Sequence, residues 1–272
     1  PEGPFALIAG TATLAARAGA GGTLTYVESS LAANTTYYRY AVAVTNGGAS
    51  ASRVASAFPF NTVDVTSPTI TSNQAGDAAW RRTNTGNYNV DFADIGGAGL
   101  SKFQVKASTV PGGGGPDIVA YTDVVTALNA AAFAAAWALP VSVFDGLWEG
   151  VTNYISIKAI DGNGNAGTLT DAFYVLKDTT PPAFVNGQSG DLTLRSVGGT
   201  LYNVDALDAA SRLAAFEYSV SAKANSADET VTAWTPIAGV MGAGAYATDW
   251  AIGFAALPSD VTSYVSVRSW DV

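Results

Sequence analysis

Hydrophobic and polar residues alternate along much of this chain. Tyr38, Tyr40, Val42 and Val44 recur at every second position, as do Phe133, Ala135, Trp137 and Leu139, and again Tyr246, Thr248, Trp250 and Ile252. A period of two sends successive side chains to opposite faces of a strand, one buried and one open. The alternating runs are short and are separated by turn formers. Phe5-Ala6-Leu7-Ile8 and Leu24 to Val27 read as strands around the turn Gly19 to Gly22. Asn46-Gly47-Gly48 supplies the positive φ of a hairpin, and Ser52 to Phe60 is the returning strand. The pattern predicts an all-β chain.

The pattern also repeats. Asp64-Val65-Thr66-Ser67-Pro68 recurs as Asp178-Thr179-Thr180-Pro181-Pro182. Proline lacks an N–H and fixes φ, so each stretch is an extended connector that neither helix nor central strand continues through. The residues after each connector match as well. Gln74, Gly76 and Asp77 correspond to Gln188, Gly190 and Asp191, and Tyr88-Asn89-Val90-Asp91 corresponds to Tyr202-Asn203-Val204-Asp205. Asp94 corresponds to Asp208, Phe103 to Phe216, and Val151 to Ile157 corresponds to Val261 to Val267. This long period predicts tandem modules rather than a solenoid, with units at 1–64, 65–178 and 179–272.

The repeat decides one ambiguous segment. Asn129 to Leu139 is rich in Ala, the best helix former. Its counterpart, Gly242 to Trp250, is Gly-rich and unsuited to a helix. The two share only the period of two, so both are read as strands, with room for a short helical turn before Phe133.

Leu31, Asn34, Thr35 and Tyr37, followed by the Asn46-Gly47-Gly48 hairpin, resemble the tyrosine corner of a fibronectin type III domain across residues 5–62. The resemblance implies that the Tyr37 hydroxyl bonds back to nearby backbone. Units two and three resemble bacterial immunoglobulin-like domains. The residues that carry this are Asp178 to Pro182 and the strand Tyr154 to Ile160, closing on Asp161-Gly162-Asn163-Gly164-Asn165. The implied fold is a row of β-sandwiches of about seven strands each. The terminal units read as incomplete. Trp270-Asp271-Val272 matches Ile160-Asp161-Gly162, whereas unit two continues into a further strand, Thr168 to Leu176. Unit one is shorter than the roughly 100 residues that such a sandwich needs. The expectation is a window of a longer polypeptide, or ends completed by strand addition from copies arranged head to tail.

Composition narrows the chemistry. Only 13% of the residues are charged, against about 25% ordinarily, and the net charge is −9. An acidic surface disfavours nucleic acid and anionic membrane, and no apolar run is long enough to span a bilayer. The chain has neither Cys nor His. Disulfides, thiolate metal sites, a Cys nucleophile and a Ser-His-Asp triad are excluded. No pair of carboxylates is recognisable as a glycosidase pair.

Two groups of residues remain as candidates. Asp161, Asn163 and Asn165 alternate like the opening ligands of a calcium loop, although Ala172 stands where the twelfth-position Glu belongs. Asp64, Asp77, Asp178 and Asp191 lie near the connectors, where carboxylates can gather calcium and stiffen a rod. The competing reading for both sets is turn formation, since Asp and Asn side chains bond local N–H groups. Among the six tryptophans, Trp137 aligns with Trp250, Trp234 with Tyr121, and Trp270 with Ile160; these positions read as core. Trp80 and Trp148 align with Leu194 and Pro258, and are the free candidates for stacking on sugars or for an interface.

The function expected from these features is structural and non-catalytic: a repeat region of an extracellular surface, fibre or adhesin protein. No cofactor is expected beyond calcium, and the partners are neighbouring modules or further copies. The alternative is an ancillary array, carbohydrate-binding or spacer, beside a secreted polysaccharide-degrading enzyme.

Overall fold

The computed structural model describes residues 27–39, 42–45, 48–53, 58–74, 76–225 and 229–272. The strands read at 5–8 and 24–26, and the hairpin tip at 46–47, lie outside the described residues.

In the first unit β1 (Thr36–Arg39) pairs antiparallel with β4 (Phe58–Asn61), and β2 (Val42–Thr45) with β3 (Gly48–Arg53). The tyrosine corner is present: the Ala32 N–H donates to Tyr37 Oη at 2.8 Å. The Tyr37 ring stacks on Phe60 with centroids 5.8 Å apart.

The second unit is a sandwich of two sheets. One contains β5 (Thr69–Ser72), β7 (Val90–Ala93) and β10 (Ala132–Phe133), in the order β10-β7-β5. The other contains β6 (Asp77–Arg81), β8 (Leu100–Ser108), β9 (Asp117–Val125), β11 (Thr152–Asp161) and β12 (Ala166–Lys177), in the order β6-β12-β11-β8-β9. All pairings are antiparallel except that of β6 with β12. Inward side chains of both sheets form one core. Phe92 stacks on Phe103 and Tyr88 on Phe173, each at 4.2 Å, with the Trp137 ring between the pairs. The buried Trp137 donates its indole N–H to the Val90 carbonyl at 3.3 Å.

The Ala-rich segment is extended, as the repeat predicts. Its backbone groups serve neighbouring strands: Leu100 N–H donates to Ala130 O, Asp94 N–H to Ala131 O, and Tyr88 and Trp137 exchange both bonds. Tertiary pairing overrides the helix propensity of Ala. The one α-helix among the described residues, α1 (Val141–Gly146), comes after the segment rather than before Phe133. It begins after Pro140 and turns Val143 and Phe144 into the core. Six residues are too few for a helical period to show in sequence.

The third unit repeats this plan in part. It contains β13 (Ala183–Asn186), β14 (Leu201–Tyr202), β15 (Val204–Leu207), β16 (Leu213–Ser221), β17 (Thr230–Pro236), β18 (Ala245–Tyr246), β19 (Trp250–Ala251) and β20 (Tyr264–Asp271). Its sheets run β13-β15-β18 and β17-β16-β20, with β14 paired to β19. Trp250 mirrors Trp137: it is buried against Phe216 and donates to the Val204 carbonyl at 3.0 Å. Among the described residues no ladder joins strands of different units.

Candidate metal sites at the two connectors

Each connector delivers an aspartate to the strand ends of the sandwich that follows it. Asp64 leaves the first unit and folds back on its own chain, its Oδ1 accepting the Thr66 N–H at 2.8 Å. Its Oδ2 accepts the Ala98 N–H at 2.9 Å from the loop between β7 and β8. Asp94 closes β7 and accepts N–H bonds from Gly96 and Gly99 at 3.1 and 2.7 Å. Asp161 closes β11 and accepts the N–H groups of Asn163 and Asn165 at 2.9 and 2.8 Å. All three carboxylates are buried, and each offers an oxygen within 4.8 Å of the other two.

The second connector builds the same arrangement. Asp178 accepts the Thr180 and Ser211 N–H groups, each at 3.0 Å. Asp208 accepts the N–H groups of Ala210 and Arg212. Arg212 takes the left-handed conformation of Gly99, with φ of 75° against 72°. Asp178, Asp208 and the partly exposed Asp271 again meet within 4.8 Å.

The fit to a divalent cation rests on size and charge. Oxygens bound to calcium at about 2.4 Å lie at most about 4.8 Å apart. The donors are all hard oxygens, which suits calcium or magnesium rather than a softer metal. Among the described residues the ion pairs are formed by other groups, and none involves these six aspartates. Burial pushes Asp64 up, but the N–H groups of Thr66 and Ala98, with the side chains of Asn34 and Thr66, outweigh it and hold the carboxyl below its ordinary range. An anionic Asp64 packed against two further carboxylates calls for a counter-charge. Gly96 makes room for the Asp64 carboxylate: a Cβ at that position would collide with it.

The sequence candidates divide accordingly. Asp64, Asp161 and Asp178 belong to the clusters. Asn163 and Asn165 stand beside the first cluster: their amide nitrogens donate to the Asp64 carbonyl at 3.5 and 3.0 Å and clasp the connector to the β11–β12 turn, and Asn165 also donates to Asp161 Oδ2 at 2.7 Å. Asp77 and Asp191 lie outside the clusters, each paired with an arginine four residues on, Arg81 at 2.7 Å and Arg195 at 2.6 Å. Sequence reasoning missed Asp94, Asp208 and Asp271 as site residues. The available signal was their recurrence at equivalent places in the repeat, combined with positions at strand ends.

A second contact holds the second connector. Glu149 accepts the Thr179 N–H at 2.8 Å and its hydroxyl at 2.9 Å, and pairs with Lys177 at 3.1 Å. Lys177 Nζ also donates to the carbonyls of Asp145 and Leu147.

The tryptophans need one correction. Trp148 is exposed and Trp80 half-buried. Trp234 and Trp270, read as core, are partly exposed too, and the Arg268 guanidinium lies 4.2 and 4.4 Å from their ring centroids. The second unit places Lys158 over Tyr121 at the equivalent spot, 3.8 Å from the ring centroid. Strand parity explains it. Ile155, Ile157 and Ala159 face inward, so Lys158 and Ile160, the counterparts of Arg268 and Trp270, face outward.

No protein-family model and no curated protein matches the chain. Among solved structures it is similar to a tetra-tandem repeat in the extending region of a large adhesion protein, at 13% identity and a TM-score of 0.27, over 81% of this chain and 53% of that one. The chain therefore spans about half the length of that structure. It is also similar to the FN1–FN3 domains of chicken CNTN1, at 9% identity and a TM-score of 0.26, over 89% of this chain and 74% of that one.

Proposed function

We propose that this chain is a non-catalytic, load-bearing stretch of tandem β-sandwich modules from an extracellular bacterial surface, fibre or adhesin protein, with calcium locking each module to the connector before it. The observation that carries the reading is the cluster of three carboxylates built in the same way at both connectors. One carboxylate comes from the connector and the others from strand ends of the next sandwich. A bound ion ties the two together and removes freedom from the joint. Proline shortens the remaining slack, so the modules sit in a semi-rigid row. Within this reading the partners are neighbouring modules and further copies.

The competing occupant of each cluster is a proton shared between carboxyls. Thermal unfolding in millimolar calcium and in chelator separates the two, because a ligand that binds only the folded state raises Tm with its concentration. The expected result is a rise in Tm with calcium that Asp94→Asn together with Asp208→Asn abolishes, and a rod-like scattering profile that stiffens with calcium. A Tm indifferent to calcium at neutral pH would overturn the lock. Retention on an insoluble polysaccharide, lost in Trp148→Ala, would favour an ancillary module instead.

A further inference from the structure

The second and third units present the same outward face of the same sheet. Strands β11-β8-β9 and β20-β16-β17 share their ladder registers. Ser108 opposite Asp117 recurs as Ser221 opposite Thr230, Gln104 opposite Asp123 as Glu217 opposite Pro236, and Ile160 opposite Lys102 as Trp270 opposite Ala215. The alternation of buried and open positions is also the same along β8 and β16. The fold therefore makes equal demands on both faces, and a consistent difference between their outward side chains has another cause.

In the second unit this face is a lattice of charges. Lys102 pairs with Asp123 at 2.9 Å and Lys106 with Asp117 at 2.8 Å, and Lys158 lies over Tyr121. In the third unit neither ion pair has a counterpart. Ala215 and Pro236 stand in place of the first, Ser219 and Thr230 in place of the second. Two indoles replace smaller side chains, Trp234 at the place of Tyr121 and Trp270 at the place of Ile160. The charges that remain cancel, because Arg268 binds Glu217 at 2.8 Å. The guanidinium lies within cation–π range of both rings and holds them in place. Even so, Trp234 stays 38% and Trp270 43% exposed. Exposed ion pairs add little stability, so losing them is cheap for the fold. Rings that point away from the core add nothing to it, and in water they cost solubility.

We propose that this outward face of the third unit binds a neutral polysaccharide. Trp234 and Trp270 are the stacking anchors, and the Arg268–Glu217 pair between them supplies hydrogen bonds. A sugar ring presents a face of C–H bonds that meets the electron-rich face of an indole. Its hydroxyls both donate and accept, so they satisfy a carboxylate and a guanidinium together. Charge selects the class of ligand. An acidic glycan needs cations, and the lysines of the second unit's face are the side chains that Ala215 and Ser219 replace. A second copy or another protein seated flat on the face would bury the Arg268–Glu217 pair, and desolvating an ion pair costs more than its attraction returns unless further partners are supplied. A hydroxyl-bearing chain supplies them. The site goes beyond the lock at the connectors and does not depend on it.

The test measures retention of the full chain on cellulose, chitin and mannan, with carboxymethyl-cellulose as the acidic control. It is run in chelator, so its outcome is independent of any ion at the connectors. At least one neutral glycan should retain the chain. Trp234→Ala should weaken that retention about tenfold or more, as loss of an aromatic anchor does, and Trp148→Ala should leave it unchanged. The double change Trp234→Tyr with Trp270→Ile installs the residues that the second unit carries at the same places. It therefore preserves the fold, and it should weaken retention by a similar factor. Retention that survives the double change overturns the proposal. So does failure to bind all three neutral glycans, tighter retention on carboxymethyl-cellulose, or a loss caused by Trp148→Ala. A dimer that Trp234→Ala dissociates would assign the face to a second copy and overturn it too.

Discussion

The second and third units start from matching sequences and end with unequal interiors. Val105, Ile155 and Phe173 are sealed in the second unit, where β12 closes the sheet between β6 and β11. In the third unit Val265 and Tyr202 occupy the places of Ile155 and Tyr88 and remain partly open. Tyr218 partly compensates, standing where the second unit has Val105. Its ring stacks on Trp250 at 5.3 Å, and its hydroxyl accepts the Gly253 N–H at 2.9 Å. The alternation of a strand therefore specifies which side faces inward. How completely that side is buried depends on the strand laid against it.

The largest effect expected from this contrast is at the two central tryptophans. Trp137→Ala should destabilise the second unit by about 3–5 kcal/mol, the range for large aromatic deletions in closed cores. Trp250→Ala should cost less, since the surrounding side chains are freer to relax. Urea unfolding of each variant measures the pair, and equal losses would show that the partial exposure of Tyr202 and Val265 leaves the core intact.

Next come the connectors. If calcium fills both clusters, saturation at about a hundredfold over Kd adds about 2.7 kcal/mol to the unit concerned. Asp94→Asn should remove that response from the second unit alone, and Asp208→Asn from the third alone. Resolved unfolding transitions in calcium and in chelator check this.

Gly96 distinguishes the two clusters. Ala210 occupies the equivalent place in the third unit, where its N–H bonds Asp208 as the Gly96 N–H bonds Asp94. Gly96→Ala should weaken the first cluster by about 1–3 kcal/mol through overpacking against Asp64, and should lower its calcium affinity. An unchanged first transition would show that Asp64 has room to move.

The smallest effect belongs to the Glu149 latch. Burial raises its pKa, but the Thr179 N–H and hydroxyl and the Lys177 ammonium outweigh burial and hold it below its ordinary 4.5. A depressed carboxylate contributes stability that is present above the unfolded value and is lost as pH falls through the folded one. The second connector should therefore loosen below about pH 4.5, where its unfolded form begins to take up protons. Glu149→Gln should flatten that response while costing no more than about 1 kcal/mol at neutral pH, because the pair is partly exposed. Proteolysis at the connector as a function of pH measures it.

Period-two alternation, turn residues and the internal repeat determined the strands, their inward faces and the places of Trp137 and Trp250. Those features are local, and the chain states them twice. The repeat even corrected the helix propensity of the Ala-rich segment, because the shared pattern reflects shared pairing. Outward positions were misjudged where an aromatic residue recurs, as at Trp234 and Trp270, since apolar character does not report a face unless parity is counted along the whole strand. The carboxylate clusters were legible only in part. Asp64 and Asp178 stand out in the repeated connectors and Asp161 in its Asp-Gly-Asn turn, but Asp94, Asp208 and Asp271 sit at the ends of strands far apart in sequence. Sheet register alone brings those ends together, and register is a property of the assembled ladder.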